Sequence, residues 1–264
     1  MSICDGIDDI IDNAFGVADI GSSSPHYQHK RSCLRLSKGC PTGFDASALL
    51  ESMLTRVQQN WDRSPRRRRA DPSDQNWRWE KQTEIADRNQ SKEKRLEKRI
   101  AQLTGDDWVN QVPTASGLYE SNRDRHRNVD LARRIGDRAF ELIELKVDSG
   151  NPLLATAEIL QYAVLYLFAR LHYPPHQIAA KQLLQADAIG LRVLAPHKFY
   201  AGYDLGWMVP AFDTALRSFS STNAVAVELS FQFLSFPPSF SWPGDDEGIR
   251  EALPAVTPVR WGRC

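Results

Sequence analysis

Hydrophobic residues recur at two different spacings along the second half of the chain, and each spacing predicts its own kind of element. Leu96, Ile100 and Leu103 follow Ser91 at helical spacing, which predicts a capped amphipathic helix. Helices are predicted in this half over 92–103, 153–172 and 205–219. Short runs rich in β-branched and aromatic residues predict strands. These runs are 108–113, 129–134, 139–147, 189–195 and 225–233.

The order of these elements predicts an α/β fold. Gly136 and Asp137 form a turn signal between the strands 129–134 and 139–147, so these strands are expected to pair as an antiparallel hairpin. The helix that follows is long enough to cross over to a parallel neighbour. The predicted fold class is therefore a mixed central β-sheet flanked by helices. The predicted domain spans 91–264, with a core over 91–196 and a C-terminal helix–strand extension over 197–264.

The first 90 residues show weaker patterns. Residues 1–44 mix glycine, serine and acids without a sustained period, which predicts a weakly ordered or peripheral N-terminal segment. Residues 45–90 are predicted to form a helix that ends near Trp61, followed by a charged, proline-broken linker. The arginines at 66–69 in this linker would either contact phosphates or form a solvated loop.

Charge and composition narrow the function only slightly. The 264 residues include 33 lysines and arginines and 33 aspartates and glutamates, so the formal net charge is zero. A surface that binds a polyanion would have to come from local clusters of basic residues. The sequence has no P-loop, no GxGxxG motif and no nucleophile elbow. ATP-driven translocation and serine-hydrolase chemistry are therefore not expected.

The sequence favours a cytoplasmic location without a membrane partner. Asp5, Asp8 and Asp9 stand where a secretory signal would carry positive charge. The most apolar run, 159–169, is interrupted by Gln161 and is too short to cross a bilayer, so it predicts a buried core helix. The four cysteines have no CxxC spacing and are expected to be reduced thiols.

Three charged residues lie within the apolar hairpin. Asp130 is on its first strand, and Glu144 and Lys146 share one face of the second, because side chains alternate along a strand. A hairpin centred on Asp137 places Asp130 opposite Glu144. Two carboxylates in that position repel each other unless a cation lies between them. A divalent cation is the natural candidate, although a plain cross-strand ion pair between Asp130 and Lys146 is the alternative.

The element order and these residues resemble the PD-(D/E)xK nuclease superfamily, which includes many restriction enzymes. Asp130 matches the first acid of the family motif, and Glu144-Leu145-Lys146 matches (D/E)xK. The resemblance covers about residues 91–196 and implies a restriction-endonuclease-like αβββαβ core. It departs from the literal motif because Val129, rather than proline, precedes the first acid.

Further residues fit the family at secondary positions. The family often has a glutamate on its first core helix, for which Glu93 fits best and Glu97 is second. Some members have Gln-x-x-x-Tyr on the helix after the motif strand. Glu158 and Tyr162 have that spacing here, with glutamate in place of glutamine and with Gln161 next to the tyrosine.

The resemblance implies metal-dependent hydrolysis of phosphodiester bonds in nucleic acid, with DNA preferred. Mg²⁺, or Mn²⁺ as a substitute, would be bound by Asp130, Glu144 and the carbonyl of Leu145. Lys146 would orient the attacking water or neutralise charge on the phosphate. Glu93 would help to position a second metal ion or a water molecule.

Basic residues near this region are candidates for binding the nucleic-acid backbone. Arg125 and Arg127 precede the first acid strand, and Arg192 lies within a later strand. Each has an alternative role, since the first two fit a charged loop and Arg192 could pair with an acid.

Two other interpretations remain open at the level of sequence. One is a catalytically silent nucleic-acid-binding or interaction module with the same fold. The other is an α/β protein in which the three charges form an ion network. The sequence does not fix the oligomeric state, and a homodimer is compatible with it.

Overall fold

The computed structural model describes residues 1–65, 72–84, 91–119, 121–223 and 225–261. They form a mixed α/β structure with a six-stranded sheet flanked by helices, as predicted for the fold class. The strands are β1 (Trp108–Pro113), β2 (Asn128–Gly136), β3 (Ala139–Leu145), β4 (Ala188–Ala195), β5 (Glu228–Ser235) and β6 (Thr257–Pro258). Their order in the sheet is the order in the chain. Strands β3, β4 and β5 run parallel, and the other neighbouring pairs are antiparallel.

Helices cover both faces of this sheet. They are α1 (Ile7–Ala14), α2 (Lys30–Leu36), α3 (Ala46–Arg63), α4 (Lys92–Leu103), α5 (Asn122–Arg125), α6 (Pro152–His172), α7 (Pro175–Ala179), α8 (His197–Tyr200), α9 (Met208–Thr222) and α10 (Asp246–Ala252). One face packs on a large hydrophobic core that includes α3, α6 and α9. The other face packs on a smaller core with α4 and α10.

Capping explains why the predicted helices begin where they do. The Ser91 side chain accepts a hydrogen bond from the Lys94 amide at the start of α4. Asp45 caps α3 by accepting from the Ser47 and Ala48 amides. At α6, Asn151 provides the cap and proline occupies the first helical position, where its missing N–H is not needed.

The hairpin has the register that the sequence predicts. Leu131 pairs with Ile143, and Ala132 pairs with Leu142. One step further along, the same register places Asp130 beside Glu144. A bulge near Gly136 shifts the pairing only at the turn.

The N-terminal segment differs from its prediction. Residues 1–44 were expected to be weakly ordered or peripheral, yet Ile3, Ile7, Ile11 and Phe15 are buried in the main core. Their spacing of four residues places them on one face of α1 and its flanks. The Asn60 side chain of α3 donates to the Ile3 carbonyl, which fixes this segment to the domain. This spacing of four was the available sequence signal, and the surrounding glycines and acids obscured it.

The segment after α3 is described only in part. The arginines at 66–69 lie outside the described residues, so their predicted role is not addressed. Trp77 is fully buried, and its ring packs edge-on against Tyr166. Trp79 contacts Phe140 in the same way. This part of the predicted linker is therefore packed against the domain.

Helix α6 is the central core helix. It has the length and composition of a membrane-spanning helix, but 83% of its most apolar window is buried inside the protein. Burial on all sides explains its weak amphipathic pattern. At the C-terminal end, α9 and β5 each begin three residues later than predicted, and α10 and β6 were not predicted as elements.

Candidate functional site

The predicted acids converge where β3 ends and β2 begins. Ala132 and Leu142 belong to the core that packs on α6, whereas their neighbours Leu131 and Ile143 belong to the opposite core. Glu144 follows Leu142 by two residues and therefore lies on the α6 side of the sheet. The alternation is interrupted at Asp130, since Val129 and Ala132 both belong to the α6 core, and the Asp130 carboxylate contacts Lys94 of α4.

Asp130 is held by contacts from two different elements. Its Oδ2 accepts a hydrogen bond from the Leu145 amide at 3.0 Å, which fixes it against the end of β3. Its Oδ1 lies 3.1 Å from the Lys94 Nζ, which extends from α4. The residue is nearly buried, and so the ammonium group compensates its charge.

Glu144 and Lys146 lie in the same charged cluster as Asp130 and Lys94, which also includes Glu97 and Glu158. The Lys146 Nζ lies 2.8 Å from the Glu144 Oε1 and 2.6 Å from Glu158 Oε2, so it joins β3 to α6. The cross-strand ion pair between Asp130 and Lys146 is not formed, since each residue has other partners. The second oxygen of Glu144, Oε2, is buried without a hydrogen-bond partner among the described residues. A buried carboxylate oxygen without a partner is costly and needs a proton or a cation.

Glu97, rather than Glu93, is the helix glutamate that joins this cluster. The Lys94 Nζ contacts the Glu97 Oε2 at 3.0 Å, and the same ammonium group contacts Asp130. The Asn110 and Gln111 side chains donate to the Glu97 carboxylate at 2.8 and 2.7 Å. Gln111 has a positive φ of 50°, a strained conformation for a residue with a side chain.

Glu93 is directed to a different place. Its Oε1 accepts a hydrogen bond from the Ser149 hydroxyl at 2.7 Å and lies within 3.4 Å of the Val147 and Ser149 amides. These contacts hold the turn between β3 and α6. Glu93 lies in the first turn of α4, so it reaches the neighbouring loop, whereas Glu97 one turn later faces β1.

Burial governs the ionisation of the cluster. Desolvation raises the pKa of Glu97 to about 7, although Lys94 opposes the shift. Desolvation and the nearby charges of Asp130 and Glu158 raise the pKa of Glu144 well above its ordinary value. Four carboxylates thus share two ammonium groups. A proton on Glu144 relieves the excess negative charge when no other cation is bound.

The secondary residues on α6 contact the strand that carries Asp130. The Tyr162 hydroxyl donates to the Asn128 carbonyl at 2.8 Å, and the Gln161 Oε1 accepts from Arg127 at 2.8 Å. Glu158 is the α6 residue that contacts Lys146 directly. The tyrosine therefore positions the start of β2 rather than contacting the charged cluster.

The predicted nucleic-acid-binding arginines have different environments. Arg125 is exposed, which is compatible with a contact to a phosphate. Arg127 is half-buried, with its guanidinium near Asp124 and Gln161. Arg192 forms an ion pair with Glu141 at 3.0 Å, so the alternative of pairing with an acid is the one observed.

The cluster contains the carboxylate oxygens that a hard divalent cation prefers, but these oxygens are not already arranged around a common point as metal ligands. Within the described ranges, no group of three or more histidine, cysteine, aspartate or glutamate side chains is arranged to hold a metal ion. Lys94 and Lys146 lie between the carboxylates instead. Two observations support the fit: the donors are carboxylate oxygens, which Mg²⁺ prefers, and the Glu144 Oε2 has no hydrogen-bond partner among the residues described.

Comparison with protein-family models, with curated proteins and with solved structures gives no match for this chain. Function must therefore be inferred from the residues and their geometry.

The sequence analysis did not identify Lys94, or Asn110 and Gln111 on β1, as residues of the cluster. Lys94 precedes Glu97 by three residues, a spacing that places both on one helix face, and this was the available signal. Asn110 and Gln111 gave no comparable signal, because their partner lies on a different element.

Proposed function

We propose that this protein hydrolyses phosphodiester bonds in nucleic acid with the help of a divalent metal ion, and that DNA is the preferred substrate. The observation that carries the proposal is the Oε2 of Glu144, which has no hydrogen-bond partner among the described residues, while Oε1 contacts Lys146 and the next residue, Leu145, donates its amide to Asp130. The order α4, β1, β2, β3, α6, β4 supports a restriction-endonuclease-like core, since the described residues between these elements form short helices and loops.

Asp130, Glu144 and the carbonyl of Leu145 would hold the ion. When bound, Mg²⁺ lowers the pKa of a water molecule and polarises phosphoryl oxygens. Asp130 is already held in place by the Leu145 amide. Glu144 provides an oxygen that is not used within the described parts of the protein. Release of a proton from Glu144 would accompany binding, because burial raises its pKa in the metal-free protein.

Lys146 is the group that would act on the substrate. Its ammonium group is fixed between Glu144 and Glu158. Burial lowers the pKa of Lys146, but the nearby carboxylates outweigh this effect and raise the pKa above its ordinary value, so the group stays charged at neutral pH. A fixed positive charge can orient a water molecule or neutralise negative charge as it grows on the phosphate. Glu158 positions this lysine from α6.

The silent binding module remains the second candidate, and a specific observation favours it. Lys94 and Lys146 together contact Asp130, Glu97, Glu144 and Glu158, so each of these acids has an ammonium partner without a metal ion. A scaffold of this kind would keep the fold and bind nucleic acid without cleaving it.

Cleavage assays separate these candidates. Labelled DNA and RNA, single- and double-stranded, would be incubated with the protein in Mg²⁺, Mn²⁺ or EDTA. We expect products with either ion, none in EDTA, and a loss of at least roughly 100-fold in rate for Lys146→Ala. Lys92→Ala is the matched control, because Lys92 is exposed and pairs only with the exposed Asp148 among the described residues.

Two results would overturn the proposal. One is the absence of product on every substrate with both ions, and the other is full activity of Lys146→Ala. Thermal stability does not separate the candidates, since Lys146 holds two buried or half-buried acids under either interpretation.

A further inference from the structure

A groove with a volume of about 860 Å³ lies near the end of β4. Its lining includes the aromatic residues Tyr203, Trp207 and Trp261, all half-buried. Two exposed cationic residues, Lys38 and Arg260, line the same groove. None of these residues belongs to the proposed catalytic cluster.

The groove is joined to that cluster through β4. The Lys146 amide donates to the Leu194 carbonyl at 2.9 Å, next to the last residue of the strand. His197, the first residue of α8, lines the groove only three residues later. Tyr200, also in the lining, donates its hydroxyl to the Val193 carbonyl at 2.9 Å. The groove and the cluster thus lie at the same edge of the sheet, where the parallel strands end and ligands commonly bind.

The chemistry of the lining suits one class of ligand. Lys38 and Arg260 outnumber the one carboxylate of the groove, Asp204, which favours an anionic ligand. The indole Nε1 of Trp261 is buried without a hydrogen-bond partner among the described residues. Aromatic rings bind nucleobases by stacking, and basic residues bind the phosphates between them.

We propose that this groove binds unpaired nucleotides of the strand that enters the catalytic cluster, an inference that rests on the proposed function. Duplex DNA fits the lining less well, because both faces of its bases are already stacked. The volume lies within the usual range of ligand sites and accommodates a few nucleotides rather than a helix. The substrate class would then be single-stranded nucleic acid or a duplex with an unpaired end.

Tryptophan fluorescence measures this binding without catalysis. An oligothymidylate of ten nucleotides would be titrated into the full chain in EDTA at several salt concentrations. We expect quenching in the wild type, and roughly tenfold weaker binding for the double variant Lys38→Ala, Arg260→Ala. Loss of two phosphate contacts should also lower the slope of log affinity against log salt by about 1.4. Trp261→Phe should reduce the quenching while it keeps an aromatic ring against Phe233.

A matched control and a competition complete the test. The control is the double variant Lys92→Ala, Arg250→Ala, which removes two exposed cations elsewhere and should bind like the wild type. A duplex of the same length should compete weakly. Equal binding by the groove variant and the control variant, or stronger binding of the duplex, would overturn the proposal.

The groove and the catalytic proposal can fail separately. If the groove variant loses binding but no substrate is cleaved in Mg²⁺ or Mn²⁺, the groove assignment stands and the catalytic function fails. If cleavage is observed and the groove variant binds like the wild type, the catalytic function stands and the groove assignment fails.

Discussion

Individual residues in the cluster serve two requirements that conflict. Buried carboxylates are stable only with partners, and a site that binds a metal ion must keep ligand oxygens available. The protein meets the first requirement with Lys94 and Lys146 and leaves the Glu144 Oε2 without a hydrogen-bond partner in the described structure. Protonation of Glu144 and Glu97 reconciles the two requirements in the metal-free protein.

This conflict predicts a specific dependence of stability on pH. The pKa of Glu97 rises from 4.5 to about 7 on folding, so the folded protein binds more protons than the unfolded chain between these values. Stability should therefore fall as pH rises through that window, by at most roughly 3 kcal/mol for this residue. Urea unfolding of the metal-free protein at pH 5 and pH 8 measures it. Glu97→Gln should flatten the dependence, and an unchanged slope in this variant would contradict the assignment.

Lys94 should contribute more to stability than its neighbour on the same helix. Lys94→Ala removes the ammonium group shared by Asp130 and Glu97, with an expected cost of about 1–3 kcal/mol because the lysine is partly exposed. Lys92→Ala, which breaks an exposed pair, should cost less than about 1 kcal/mol. Unfolding in urea at pH 8 compares them. Equal stability of the two variants would show that the shared ammonium group contributes no more than an exposed one.

At the scale of elements, local sequence predicted the parts that have local causes. The bounds of α4 and β1 agree with prediction, because a serine cap and a run ending at proline mark their ends. The hairpin register followed from one turn signal and the alternation of side chains. The sequence favoured Glu93 over Glu97 as the helix acid. The side-chain amides of Asn110 and Gln111 that bind Glu97 come from β1, and a helical period does not reveal such partners.

The N-terminal segment gives the clearest test at this scale. Ile11→Ala should destabilise the protein by about 2–5 kcal/mol, since Ile11 is fully buried in the main core. Ile135→Ala is the control, because Ile135 is 51% exposed on the hairpin and should cost less than about 1 kcal/mol. Thermal unfolding of both variants measures the difference. A small effect at Ile11 would restore the view that residues 1–44 are peripheral.

At the scale of the whole molecule, the sheet brings distant segments to one edge. Strands β2 and β3 provide the acids, α4 and α6 provide charged partners, and the end of β4 leads to the aromatic groove. Sequence alone predicted that Asp130 and Glu144 lie on neighbouring strands of one hairpin, and it predicted the α/β fold class. It did not predict the groove, because the lining comes from residues around 38, 200 and 260, which are separated along the chain.

If Asp130 and Glu144 together bind a divalent cation, calorimetry at pH 8 should detect Mn²⁺ binding by the metal-free protein. At this pH fewer protons compete for the carboxylates, since binding must displace the proton on Glu144. Glu141→Gln is the matched control, because Glu141 lies on the same strand but pairs with Arg192. We expect binding by the wild type and by Glu141→Gln, and at least roughly tenfold weaker binding by Glu144→Gln. Equal binding by all three proteins, or no binding by the wild type, would show that Asp130 and Glu144 do not form a cation site.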